Sequence, residues 1–263
     1  MSRFKSPVLF VGHGSPMNAI AENDYTRSLT RMKSIYPQPR AILCVSAHWM
    51  TKGTWVTAME HPKTIHDFYG FPEELFAVQY PAPGSSEIAR LIQSSTSQIQ
   101  IQLDEDSWGL DHGAWSVLRH LYPEAQVPVL QLSLDMEKTP EEHFRLGERL
   151  RHLRDEGIYL VGSGNLVHNL RQIKWDPAAS VYPWAIEFNN WIKEKLSHRE
   201  FSSLVKEFQK TEAGRLSVPT LEHYLPFLYI LGASDAQDQM HIEYDEMQNA
   251  SISMLSVSFQ VRS

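Results

Sequence analysis

A chain of 263 residues with 42% hydrophobic residues can bury a large core, as one α/β domain or two small ones; no linker or repeat divides it, so a single domain over 1–263 is expected. A net charge of −7 with no basic cluster argues against a nucleic-acid partner, and the apolar runs are too short to span a membrane. One cysteine, Cys44, excludes a disulfide framework, and the first apolar strand begins too early to leave room for a signal peptide, so a cytoplasmic protein is expected.

The first apolar run, Pro7-Val-Leu-Phe-Val, stops at Gly12-His-Gly, a pattern for a buried strand that turns sharply and exposes His13. Residues 23–36 read as a surface helix closed by Pro37 and Pro39. Residues 41–48 form a second apolar strand that ends on His48, and residues 54–59 a short third one. Residues 61–72 are too aromatic for a solvated linker and too rich in proline and glycine for a helix, which predicts a loop folded back over something. A helix over 86–94, an edge strand over 98–103, a glycine-punctuated loop presenting His112, a helix through Leu121 and a strand over 127–132 follow.

Pro140 and Gly157 bracket an amphipathic helix. The strand from 157 ends in Gly162-Ser-Gly-Asn, with His168 about one helical turn beyond. A core-packed helix over 183–195 comes next, then a helix capped by Thr220 that carries His223 in its first turn, and a tail over 251–261 that alternates as a strand and completes the sheet.

Of twelve histidines, His120, His143, His152, His198 and His241 sit among charged residues and read as surface or hydrogen-bonded core, while His61 and His66 lie in the aromatic loop, as a lid or a packed corner. His13, His48, His112, His168 and His223 differ: each occupies a glycine turn, a strand end or a helix start. Imidazoles converging from such places suit Zn(II), Fe(II), Cu(II) or Ni(II), whereas Mg(II) or Ca(II) wants carboxylates, so a metal site is favoured over a structural cluster. No Gly-x-Ser-x-Gly elbow, Walker loop, His-Glu-x-x-His or dinucleotide fingerprint occurs.

Seven motifs, Gly12-His-Gly-Ser-Pro-Met-Asn, Ser46-Ala-His-Trp, His66-Asp-Phe-Tyr-Gly-Phe-Pro, Tyr80-Pro-Ala-Pro-Gly, Asp111-His-Gly-Ala-Trp, Asn165-Leu-Val-His-Asn and Glu222-His-Tyr-Leu-Pro, run in order through the chain. With them the sequence resembles the bacterial form of the 4,5-DOPA dioxygenase extradiol family, of the class III extradiol ring-cleaving dioxygenases, related to the catalytic subunit of protocatechuate 4,5-dioxygenase. The resemblance implies a single α/β domain with a central mixed sheet, helices on its flanks and one divalent metal at the strand ends. It implies His13, His48 and His223 as ligands, His168 as a fourth ligand or an acid/base with a pKa near neutrality, and His112 lining the substrate pocket. Asp111 or Ser15 would help orient the ring, and the loop around Asp67 and Tyr69 would exclude water.

Many enzymes of the class use two histidines and a carboxylate; here His223 stands in the third place, with Glu222 a fallback ligand. Three neutral imidazoles leave more positive charge, which favours a bound catecholate and raises the metal's reduction potential. The implied reaction opens a catechol, L-DOPA or a similar small one, with O2 to a muconic semialdehyde. Fe(II) is expected for turnover, and Zn(II) is an occupant without redox chemistry. The rival readings are a zinc-dependent hydrolase and a non-catalytic binding protein of the same fold.

Overall fold

The computed structural model describes residues 5–36, 38–96, 99–176 and 179–261. Strand β1 (Val8–Gly12) passes through a 3-10 turn (Pro16–Ala19) into helix α1 (Asp24–Ile35). Strands β2 (Ala41–Thr51) and β3 (Thr54–Thr57) follow, then helices α2 (Glu73–Phe76) and α3 (Ser86–Ser95), strand β4 (Ile101–Asp104), helix α4 (His112–Leu121) and strand β5 (Val129–Asp135). Helix α5 (Pro140–Leu150), strand β6 (Ile158–Gly164) and helices α6 (Pro183–Ser197), α7 (Phe201–Lys206), α8 (Glu212–Ser217) and α9 (Leu225–Ala233) come next. The chain closes with β7 (Asp238–Tyr244), β8 (Met247–Gln248), β9 (Ile252–Ser253) and β10 (Ser256–Val261).

Eight of these strands form one mixed sheet in the order β4-β3-β5-β2-β6-β1-β10-β7. The central strands β5, β2, β6 and β1 run parallel, so their carboxyl ends meet at one edge, while β10 and β7 add antiparallel strands beyond β1. Both faces are covered, which is why the central strands read as continuous apolar runs. Val8, Phe10, Leu43, Val45 and Leu160 face the layer containing α5, α6 and α9, and Leu9, Val11, Ile42, Cys44 and Val161 face α1 and α4. Cys44 is buried in this second layer. Among the described residues no helix is long and apolar enough to cross a membrane.

The caps follow local chemistry. Asn23 and Thr26 form a reciprocal capping box on α1, as do Thr139 and Glu142 on α5, where Pro140 occupies the first turn as expected. Pro37 and Gln98 lie outside the described residues.

Several expectations need correction. The helix bracketed by Pro140 and Gly157 is α-helical only to Leu150 and then tightens to a 3-10 helix over Arg151–Glu156. His48 does not end its strand: β2 runs on to Thr51, but its pairing with β5 is irregular between Val45 and Met50, and His48 stands in that departure. His112 is the first residue of α4, capped by Asp111, rather than part of the preceding loop. His223 lies in a turn before α9; Thr220 caps no helix and instead donates to Glu222, while Pro226, which lacks an N–H, stands in the helix's first turn. Strand β7 was not expected, because an edge strand keeps one side wet and shows little apolar signal.

Candidate metal centre

The carboxyl ends of β1, β6 and β2 lie side by side, the place where open α/β sheets bind ligands. Here β1 delivers His13 and the irregular part of β2 delivers His48. Beyond β6 the chain carries His168, held by a bridge to Ile252 and by its amide N–H to the Ser217 carbonyl. His223 approaches from the other layer because β6 ends in glycine: a Cβ on Gly164 would lie 2.1 Å from the His223 carbonyl oxygen. Gly113 works alike on α4, where a Cβ would stand 2.4 Å from Ser46 Oγ and 2.9 Å from a His48 ring carbon. That close approach sets the His112 ring against His48, their centres 3.9 Å apart.

All five histidines singled out therefore come together. Ligand atoms of His13, His48 and His112 lie within 4.8 Å of one another, as do those of His168, Glu222 and His223. The first group is a candidate metal site. The two groups adjoin, with the His223 ring centre 5.3 Å from His13 and 5.1 Å from His48. His168 stacks on His223 with centres 3.5 Å apart and planes 12° from parallel.

Hydrogen bonds fix the His13 tautomer. The Ser163 hydroxyl donates to the Gly113 carbonyl at 2.6 Å, so its oxygen accepts from His13 Nδ1 at 3.0 Å, and Nε2 keeps a free lone pair. That Nε2 lies 3.2 Å from Nε2 of His48. Two nitrogens each about 2.1 Å from one ion and about 100° apart are separated by roughly this distance, so the pair fits adjacent ligands of one metal.

The electrostatics agree with that fit. Burial, and then the neighbouring rings, push His13 and His223 well below the usual histidine range. Burial and His112 bring His48 to about 3 against the opposing pull of Asp67, and burial brings His168 to about 4 against that of Glu222. These imidazoles are neutral lone-pair donors at pH 7, the form a metal requires. For His168 the value departs from the near-neutral one expected, because burial disfavours the imidazolium more than Glu222 favours it.

Asp67 reaches in from the aromatic loop. Its Oδ1 accepts the His112 backbone N–H at 2.9 Å, and its Oδ2 stands 2.9 Å from His112 Nδ1 and 3.4 Å from His48 Nδ1. Burial raises its pKa, but the hydrogen bond and charge of His112, with His48, outweigh this and hold it at about 2. Phe68 meets the His112 ring edge-on, and Trp115 donates to the Ile65 carbonyl, so the loop is pinned to α4. Glu222 Oε1 lies 3.2 Å from His223 Nδ1.

The remaining expected residues fare differently. Tyr69 is 92% exposed and touches nothing at the centre. Ser15 is half-buried and caps the 3-10 turn after His13, accepting from Met17 N–H. Asp111 does not line a pocket: it is fully buried, and its carboxylate accepts from the Ser46 hydroxyl, Gln131 Nε2 and the Ala114 N–H. It anchors α4 to β2 and β5.

Four supporting residues escaped the sequence reading. Ser163 sits in the Gly-Ser-Gly turn, Asn165 accepts from Gly14 N–H, Asn18 donates to the His13 carbonyl, and the Gln131 side chain accepts from Asp111 N–H through Oε1 and donates to the Asp111 carboxylate through Nε2. Gln131 carried a legible signal, a polar residue inside an apolar strand, which must find a partner when buried.

Comparison with known proteins places this architecture in a class. The model of the catalytic LigB subunit of aromatic ring-opening dioxygenase matches residues 7–260, and the chain belongs to that family. Within it, the chain is 50% identical over 98% of its length, and 96% of the relative's, to 4,5-DOPA dioxygenase extradiol of Escherichia coli (strain K12). It is 34% identical over 95% of both chains to 4,5-DOPA dioxygenase extradiol of Beta vulgaris. The crystal structure of an uncharacterized Escherichia coli K12 protein superposes with a TM-score of 0.85 at 46% identity, covering 97% of this chain and 99% of that one. The protein is thus an extradiol aromatic ring-opening dioxygenase of the DOPA dioxygenase type.

Proposed function

We propose that the protein cleaves a small catechol such as L-DOPA beside its diol, using O2 and one Fe(II) per chain held by His13, His48 and His223, to give a muconic semialdehyde. The observation that carries the ligand set is a near-equilateral triangle of rings: His13–His48, His48–His223 and His13–His223 centres are 5.1, 5.1 and 5.3 Å apart. Imidazoles bound through Nε2 to one ion at about 100° have centres about 5 Å apart. His112 lies tilted against His48 with centres 3.9 Å apart and His168 stacks on His223 at 3.5 Å, both closer than the roughly 5 Å expected of two rings sharing an ion at such angles, so in this reading His112 and His168 flank the triad.

Fe(II) at this site would supply Lewis acidity toward the catechol oxygens and a redox route to O2. Neutral His168 accepts a proton from a catechol hydroxyl and returns it later in ring opening, a transfer that needs no prior deprotonation of the imidazole at pH 7. His112, clamped by Asp67 and walled by Phe68, orients the ring, and the aromatic loop excludes bulk water. Family membership favours this chemistry over the zinc-dependent hydrolase and the binding-protein readings. The lone buried thiol of Cys44 fits a cytoplasmic protein.

The test is anaerobic reconstitution with Fe(II) and, separately, Zn(II), followed by O2 uptake and visible absorbance with L-DOPA. Uptake and a yellow product with Fe(II) alone are expected. No uptake despite stoichiometric Fe(II) binding would sink the proposal.

A further inference from the structure

A site of three neutral histidines differs in charge from one that includes a carboxylate ligand, yet two carboxylates stand one contact beyond the rings. Glu222 Oε1 lies 3.2 Å from His223 Nδ1 and is aimed by a 2.8 Å hydrogen bond from the Thr220 hydroxyl. Asp67 Oδ2 lies 3.4 Å from His48 Nδ1, and its side chain is only 18% exposed although it comes from a surface loop. The third ring, His13, has its Nδ1 against the neutral Ser163 hydroxyl. Each imidazole of the triangle thus meets an oxygen at Nδ1, and in two of the three cases that oxygen is a carboxylate's.

We infer that Asp67 and Glu222 are positioning residues acting through His48 and His223: each carboxylate holds the ring with Nε2 toward the metal and supplies the negative charge that no direct ligand carries. This rests on the ligand set proposed above. A carboxylate hydrogen-bonded to a ligand imidazole fixes its tautomer and raises its basicity, and such partners matter about 10–100-fold in metal affinity. Glu222 Oε1 is engaged by the Thr220 hydroxyl and by the far nitrogen of His223, which makes that oxygen the ring's partner. Asp67 does double duty, since the same oxygen also contacts His112 Nδ1 at 2.9 Å.

The experiment titrates the metal-free full chain with Fe(II) anaerobically, and with Zn(II) against a chelator, and measures the Fe(III)/Fe(II) midpoint potential. Glu222→Gln and Asp67→Asn should each still bind one metal per chain, with roughly 10–100-fold weaker affinity, and should raise the potential, because the oxidised ion loses nearby negative charge. Thr220→Val, at an exposed position that only aims Glu222, should shift both quantities the same way by a smaller factor; it serves even if Glu222→Gln does not fold. Affinity within about twofold of the parent together with an unshifted potential in these variants would overturn the inference, as would loss of stoichiometric metal in Glu222→Gln, which would make Glu222 a ligand. Failure of the ligand set looks different: His223→Ala would keep one metal per chain while His112→Ala would lose it.

Discussion

At the amino end of β1, the Arg154 guanidinium and the Asp238 carboxylate are both 0% exposed, joined by two hydrogen bonds of 2.7 and 2.9 Å. The Ser6 and Ala233 carbonyls take further Arg154 donors. At the carboxyl end of the same strand, five imidazoles crowd together, and His13, His48, His112 and His223 each have Nδ1 beside a hydroxyl or carboxylate oxygen. Both ends bury polar groups, the ion pair completely and the ring cluster with His48 and His168 partly exposed. The first matches full charges with full charges; the second turns the Nε2 lone pair of His13 toward the ring of His48. That difference separates a device for holding the fold from one for holding a ligand.

Substitution at each end should therefore have opposite signatures. His223→Ala is expected to lower O2 uptake at least about 10³-fold, about 4 kcal/mol of transition-state stabilisation, while circular dichroism of the metal-free protein stays native. Arg154→Met should do the reverse, costing about 3–5 kcal/mol in urea unfolding because Asp238 is left charged and unpaired, with KM unchanged in the folded fraction.

A pH series sharpens the contrast through His143, a histidine outside the metal centre, fully buried and hydrogen-bonded to the Tyr229 hydroxyl at 2.9 Å. Burial, reinforced by Lys138, takes it from 6.5 to about 4. The unfolded chain binds this proton first on acidification, so stability is full above pH 6.5, falls as pH drops toward 4, and levels off below. The loss is at most roughly 3 kcal/mol, and His143→Phe should flatten that limb in urea titrations. His48 and His168, also shifted down, act in the same direction in the metal-free protein. Smallest of all, His112→Phe should raise KM for the catechol several-fold while metal content per chain, read by elemental analysis, stays at the parental level.

Much of this plan was legible before any coordinates, for a physical reason. Buried parallel strands must be apolar, so the runs before His13 and around His48 announced themselves, and a histidine at the close of such a run has few structural reasons to be there. The five histidines stood out because each falls in a glycine turn or near a strand or helix boundary in the sequence, and their convergence is what the structure adds. What stayed hidden depends on contacts between distant segments. Nothing near His13 in the chain says that Ser163, 150 residues away, chooses its tautomer. The placement of His223 before its helix rather than in it turns on the close approach to Gly164, and Asp111 reads as a pocket residue until Gln131 is found beside it. Strand β7 left only a faint trace, since Met240, Ile242 and Tyr244 alternate with polar residues and all but Asp238 are partly or largely exposed.

The aromatic loop joins two neighbours of opposite circumstance. Asp67 is clamped between two rings of the centre, whereas Tyr69, two residues on, stands almost wholly in solvent. One end of the loop is committed to the site and the other is free of packing constraint. Substitution at Tyr69 is accordingly expected to leave the scaffold and the chemistry behind it undisturbed, whereas substitution at Asp67 reaches both His48 and His112.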